Sequence, residues 1–292
     1  MKHFQRREFL RLGGNLAAGV ALAPIACKLM PKGEETGKLK AFGIQVWTVR
    51  DVFPQDPKGV LKQIADAGYK QIETFDGPQG MFWGMGNTGF NSYIKDLGME
   101  LVSAHNNIYT DFEKKVDEAA AIGLKNLTYA WEGPNKTIDD YKKIAEDFNK
   151  KGELCKKNNI RLVFHNHDYS FRAQNGQFGQ DILMQGTDAG MVDFEMDIYW
   201  VVAAGQDPEA WFKKYPNRFT LCHVKDRNKN PVEDNGKNSI ELGLGSINYP
   251  QILKTAKDNG MKYYLVEQEA YPNGTSIQAI QVDAAYMKKL KF

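Results

Sequence analysis

Cysteine is scarce, with three in 292 residues at positions 27, 155 and 222. None stands at the short spacing of a metal knuckle, and three scattered thiols do not make a disulfide framework. An excess of either charge is missing too. The formal net charge is +2, and no basic block or aromatic-interleaved Lys/Arg patch occurs, so the sequence gives no support to nucleic-acid binding. After residue 27 no apolar run approaches the ~18 residues that a membrane span needs. Gln45-Val46-Trp47-Thr48-Val49, in the first apolar stretch of the mature chain, lacks the glycines of a phosphate-binding turn. What is present is an ordinary globular composition, 42% hydrophobic and 25% charged, in a chain long enough for a substantial core. Cys155 on a helical stretch and Cys222 on a strand-like one read as free, structural thiols.

The first 27 residues read as a targeting segment. Arg6-Arg7-Glu8-Phe9-Leu10-Arg11 resembles the twin-arginine export signal, and a Gly/Ala-rich apolar stretch follows it over 12–26. An amphipathic N-terminal helix fits less well, because the paired arginines stand directly before the apolar run. Cys27 falls where a lipoprotein cysteine would. Ala26 before it fits that pattern and Pro24 does not, so a lipid anchor at Cys27 stays open. Residues 28–38 read as a polar tether and 39–292 as a single catalytic domain. The expectation is an exported, periplasmic protein with no transmembrane span.

From about residue 40, short apolar strands alternate with amphipathic helices, the pattern of a parallel sheet covered by helices. Strands are expected over 41–47, 71–75, 100–105, 126–131, 161–168, 191–197, 219–225 and 263–269. Eight strand-helix units in about 250 residues is the count and size of an α/β (β/α)8 TIM barrel. The longer loops, 76–90 and 227–247, are expected over the barrel mouth.

Four of the strands run into ligand-type side chains. In Arg161-Leu162-Val163-Phe164-His165-Asn166-His167-Asp168 the period of two puts Val163, His165 and His167 on one face. Two imidazoles at the end of a buried strand are costly unless something partners them. The pattern recurs up to Asp197, His223-Val224-Lys225-Asp226 and Glu267-Gln268-Glu269. Since the active sites of such barrels lie at the strands' C-terminal ends, Glu73, His105, His165, His167, Asp197, His223, Lys225, Glu267 and Glu269 should ring one opening. Mixed imidazole and carboxylate donors suit one divalent Mn, Zn, Co or Fe ion better than an all-oxygen Ca or Mg site. A charge-balanced ion-pair network at the mouth is the alternative.

The strings Phe164-His165-Asn166-His167-Asp168, Asp197-Ile198-Tyr199-Trp200 with Ala204-Gly205, His223-Val224-Lys225-Asp226 and Val266-Glu267-Gln268-Glu269 resemble the xylose-isomerase-like TIM-barrel superfamily. Within it they are similar to the sugar phosphate isomerase/epimerase group, which includes inosose dehydratases and ketose 3-epimerases. The resemblance implies a metal held by His165, Asp197, His223 and Glu267. It departs from the commonest pattern at His165, where the epimerases usually carry Glu, and this favours a lyase or dehydratase over a symmetrical two-carboxylate epimerisation. The implied chemistry is proton removal beside a metal-bound carbonyl, with Glu267 as base and Lys225 and His167 assisting. Lys225 reads equally as a salt-bridge partner of Glu267 or Asp226. Glu73, His105 and Glu269 are expected to hold substrate hydroxyls. Trp47, Trp83, Trp131, Tyr199 and Trp200 lie at strand ends or mouth loops, and Trp83 is the one expected to face substrate. With no phosphate cradle in view, the expected substrate is an unphosphorylated sugar or cyclitol derivative, such as a keto-sugar or keto-glycoside. The rival readings are a non-catalytic sugar-binding barrel and a metal-dependent, endonuclease-like phosphodiesterase; the oligomeric state stays open.

Overall fold

The computed structural model describes residues 37–232 and 236–292. The segment 1–27 expected to direct export, and the expected tether as far as residue 36, lie outside the described residues. Eight parallel strands close into one barrel: β1 (Gly43–Gln45), β2 (Gln71–Phe75), β3 (Glu100–His105), β4 (Asn126–Tyr129), β5 (Arg161–His165), β6 (Val192–Asp197), β7 (Phe219–Val224) and β8 (Tyr263–Val266). Each pairs with its chain neighbours, and β1 closes on β8. Around them run α1 (Pro57–Ala67), α2 (Gly86–Asp96), α3 (Phe112–Ala121), α4 (Ile138–Lys157), α5 (Gly179–Gly186), α6 (Ile198–Ala203), α7 (Pro208–Lys214), α8 (Tyr249–Asp258) and α9 (Ser276–Lys289). No helix among the described residues is long and apolar enough to cross a membrane.

The period of two along each strand divides the core in two. Outward residues such as Ile44, Ile72, Leu127, Phe164, Phe194, Cys222 and Val266 join the helices in one large apolar cluster. Inside the barrel a separate small cluster, Val102, Val163, Leu221 and Leu265 with Tyr263 against it, forms an apolar plug. The next inward positions along β5, β7 and β8, two residues on, are His165, His223 and Glu267, so the polar layer begins one pleat above the plug. Gly43 is required inside: a Cβ there would lie 2.5 Å from Leu265 and 2.8 Å from Gln71.

Punctuation follows local chemistry. Asp56 caps α1 with Pro57 at its first position, and Gly68 ends it in the left-handed conformation (φ +105°). Thr137 with Asp140 forms a capping box on the 20-residue α4. The expected first strand, 41–47, is shorter than its apolar run because Val46–Val49 turns into a 3-10 helix. Strand four stops at Tyr129, leaving Ala130 and Trp131 on the mouth. Cys155 and Cys222 are both buried and free.

Candidate metal centre and active site

Four of the chain's five histidines belong to one layer at the upper end of the barrel interior; the fifth, His3, lies outside the described residues. Register places them. Across β5 and β6, His165 stands opposite Glu195, and across β6 and β7, Asp197 stands opposite His223. Asp197 is also the N-cap of α6, its Oδ1 accepting the Trp200 amide at 3.3 Å. That leaves Oδ2 turned into the barrel. Asn166 ties the two strand ends together, donating to the Asp197 carbonyl at 3.3 Å and accepting the Asp197 amide at 3.2 Å. The end of β7 is held by Tyr249, whose hydroxyl donates to the Lys225 carbonyl at 2.6 Å and accepts the Lys225 amide at 2.8 Å.

Two tiers result. In the upper tier Asp197 Oδ2 lies 3.9 Å from His165 Nε2 and 3.8 Å from His223 Nδ1, and His223 Nδ1 lies 3.3 Å from Glu267 Oε2. Donors bound at roughly 2.0–2.3 Å around one ion stand ~3–4 Å apart, so Asp197, His223 and Glu267, whose donor atoms all lie within 4.8 Å of one another, fit a divalent cation, and His165 Nε2 stands next to Asp197. Asp197 Oδ2 and His223 Nδ1 are buried without a hydrogen bond, which suits atoms whose partner is an ion. Lys225 Nζ stands beside them, 2.8 Å from Asp197 Oδ2, 2.8 Å from Glu267 Oε2 and 2.6 Å from Glu269 Oε1. Toward Asp197 this is an ion pair out of hydrogen-bond alignment.

The lower tier consists of paired hydrogen bonds. Glu73 Oε2 accepts from Gln45 Nε2 at 3.0 Å and lies 2.8 Å from His223 Nε2 and 3.2 Å from His105 Nε2. Glu195 Oε2 lies 2.9 Å from His105 Nε2 and 3.1 Å from His165 Nδ1, with its Oε1 3.4 Å from His223 Nε2. His165 and His223 therefore each set one ring nitrogen on a buried carboxylate below and the other in the upper tier.

Burial dominates the electrostatics and specific partners oppose it. Burial pushes the Glu195 and Glu267 carboxyls up, but the His223 charge and histidine hydrogen bonds on Glu195, and the Lys225 and His223 charges on Glu267, hold both well below the usual range. Burial pushes the His105 imidazole down, yet Glu73 and Glu195 bring it to about 9. Lys225 is driven well above its ordinary value against the burial cost, chiefly by Asp197 and Glu267. His167 goes the other way, pushed well down by burial and then by His165 and Lys225. A fixed ammonium, ionised carboxylates and a neutral imidazole thus share one floor.

Above it opens a cavity of about 860 Å³ lined by His105, His165, His167, Glu267, Glu269 and an aromatic wall that includes Trp47, Tyr109, Trp131 and Trp200. The model for xylose isomerase-like TIM barrels matches residues 61–290. The chain belongs to that family. Among the relatives of this family member, the inosose dehydratase of Clostridium perfringens is 31% identical over 147 residues, 46% of this chain and 49% of that protein. The chain thus spans about half the length of that relative. A sugar phosphate isomerase/epimerase structure from Parabacteroides distasonis superposes with a TM-score of 0.72 at 28% identity, covering 87% of this chain and 95% of that one. The 3-keto-D-glucoside 4-epimerase of E. coli superposes at 0.65 over 85% of this chain and 98% of its own, and at 12% identity that likeness shows the fold alone.

Against the residues expected from sequence, this xylose isomerase-like barrel brings His165, Asp197, His223 and Glu267 together, and puts His105, His167 and Glu269 on the cavity wall. Two expectations change. Glu73, expected to hold a substrate hydroxyl, is fully buried beneath the site and occupied by Gln45 and the histidines. Trp83, expected to face substrate, is only 2% exposed and packs edge-on against Phe53 and Phe75, because the 76–90 loop folds back onto the core. Trp47 (41% exposed) and Trp131 (58%) take the mouth instead. Lys225 is fully buried and forms the ion pair with Glu267; Asp226 turns away to accept the amides of Gly243, Gly245 and Ile247. Glu195 and Gln45 were missed. Glu195 could have been found, since it lies two residues before Asp197 on the same strand face.

Proposed function

We propose that this protein is a divalent-metal-dependent lyase or isomerase acting on an unphosphorylated sugar or cyclitol that carries a carbonyl, such as a keto-sugar or keto-glycoside. The observation that carries the reading is Glu267, which belongs to the four-donor set and also lines the cavity. A cation held by His165, Asp197, His223 and Glu267 would polarise a carbonyl and a neighbouring hydroxyl of the substrate. Glu267, held ionised, accepts the proton from the carbon beside the carbonyl. Lys225 holds positive charge next to the acids and keeps Glu267 Oε2 in place. His167, neutral and edge-on to Trp131 at 5.0 Å, faces the cavity where its N–H can hydrogen-bond a substrate oxygen on which negative charge builds, while the proton taken up by Glu267 is the one available to a leaving oxygen. Glu269 binds a hydroxyl.

Among the described residues no lysine or arginine lines the cavity, which supports a substrate without phosphate and disfavours the phosphodiesterase alternative. The names of the relatives, an inosose dehydratase and a sugar phosphate isomerase/epimerase, support a lyase or isomerase. The reading extends to location: the Arg6-Arg7 segment directs export, with Cys27 available for a lipid anchor.

The test is to strip the purified protein of metal, restore Mn, Co or Zn, and incubate it in deuterated water with free sugars, keto-sugars and 3-keto-glycosides. Mass spectrometry should reveal metal-dependent deuterium uptake or loss of a leaving group. Failure to bind any of these ions stoichiometrically would overturn the reading.

A further inference from the structure

We propose that Glu195 is a positioning residue that makes His165 a metal ligand. The inference rests on the metal centre proposed above. An imidazole offers a lone pair at one nitrogen when the other carries the proton and has an acceptor for it. Glu195 Oε2, 3.1 Å from His165 Nδ1, is that acceptor, and the opposite nitrogen then faces Asp197 Oδ2 at 3.9 Å. The arrangement is built into the barrel: the two residues are register partners on adjacent strands, and Glu195 is fully buried on a strand buried along its whole length. The carboxylate also adds electron density to the ring, so a formally neutral ligand donates more strongly.

The same residues invite another reading, a second metal bound by His105, His165, Glu195 and His223, whose donor atoms all lie within 4.8 Å of one another. Hydrogen bonding decides against it. Glu73 and Glu195 stand 2.8–3.2 Å from the lower nitrogens of all three histidines, so each N–H has its acceptor. In the lower tier only carboxylate oxygens, Glu73 Oε1 and Glu195 Oε1, are left without a hydrogen bond, whereas in the upper tier a ring nitrogen, His223 Nδ1, is left together with Asp197 Oδ2. The lower tier orients; the upper tier binds.

The experiment measures cobalt affinity by competition with a chelator, together with the visible cobalt spectrum. Glu195→Gln should weaken binding roughly 10–100-fold while the bands keep their position and intensity, because the ligand set is unchanged. In a His165→Glu background the sign should reverse. Glutamate has no N–H to donate, so Glu195 becomes a like charge beside a ligand, and Glu195→Gln should then tighten binding. Each variant's fold is checked by circular dichroism, and the double variant carries the test if Glu195→Gln alone does not fold. Affinity within twofold of wild type in Glu195→Gln, or weakening by the same factor in both backgrounds, overturns the inference. A change of spectrum in Glu195→Gln would make Glu195 a ligand and also overturn it. Wild-type protein that binds no cobalt would instead overturn the metal centre itself, so the two failures are distinguishable.

Discussion

Glu267 is asked to do two things that one substitution separates. Glu267→Gln keeps an oxygen for a cation yet cannot take a proton near neutral pH. With metal kept saturating, since a neutral amide is the weaker ligand, turnover should fall ~10²–10⁴-fold, the usual worth of a general base, while KM changes little. Retention of near-wild-type turnover with full metal content would move the base elsewhere. Two tryptophans make a second contrast. Trp83→Ala removes a ring packed on Phe53 and Phe75 and should cost ~3–5 kcal/mol of stability. Trp131→Ala, at an exposed ring on the cavity mouth, should raise KM and leave the denaturation midpoint unmoved. Denaturant titration and substrate kinetics on the same two proteins check both halves. Sequence alone put Trp83 at the mouth because glycines surround it, but glycine reports turning of the chain and not the side on which the next ring falls.

Strands and helices were legible because their periods are local properties of the chain, and each inward His or acid could be counted from an apolar neighbour. Depth was not. Whether Asp193, Glu195 or Asp197 reaches the cavity depends on strand tilt and stagger, which closure of all eight strands fixes together. Asp193 pairs with Arg161 low on the barrel, Glu195 orients histidines, and Asp197 joins the donor set. The loop after β7 has a similar hidden organiser. Asp226 Oδ1 accepts the amides of Arg227 at 2.8 Å and Ile247 at 3.1 Å, and its Oδ2 those of Gly243 at 2.9 Å and Gly245 at 3.0 Å. In Asp226→Asn one of these oxygens becomes an N–H facing N–H groups, a loss of ~1–3 kcal/mol. Amide exchange should speed up across 241–247 and stay slow in Phe219–Val224. Uniform protection in the variant would show that the loop is held by something else.

For the whole molecule, pH acts on stability through several buried groups, and two of them have windows that one substitution can separate. Asp283 on α9 is buried, its Oδ1 accepting the Leu242 amide at 2.8 Å and its Oδ2 without a hydrogen bond. Burial, then the nearby Glu241 and Asp226 charges, push its carboxyl up to about 8 from an ordinary 3.8. Folding therefore takes up a proton between those values, and stability falls as pH rises from about 4 to about 8, by at most ~1.4 kcal/mol per pH unit. His105 acts later. Its folded value of about 9 lies above the ordinary 6.5, so its contribution is complete below 6.5 and is lost as pH rises through 9. Both trends have the same sign, and one substitution divides them. Asp283→Asn carries no proton to lose, so its stability relative to wild type should rise steadily from pH 4.5 to 8 and level off above that, because the other buried groups contribute equally to both proteins. Above pH 7 both proteins should still lose the histidine's share. Urea titrations at pH 4.5, 6, 8 and 9.5, with chelator present so that no ion enters the site, resolve the two windows. Equal slopes for the two proteins below pH 6 would mean that Asp283 is ionised in the folded barrel and that its carboxylate has found a partner.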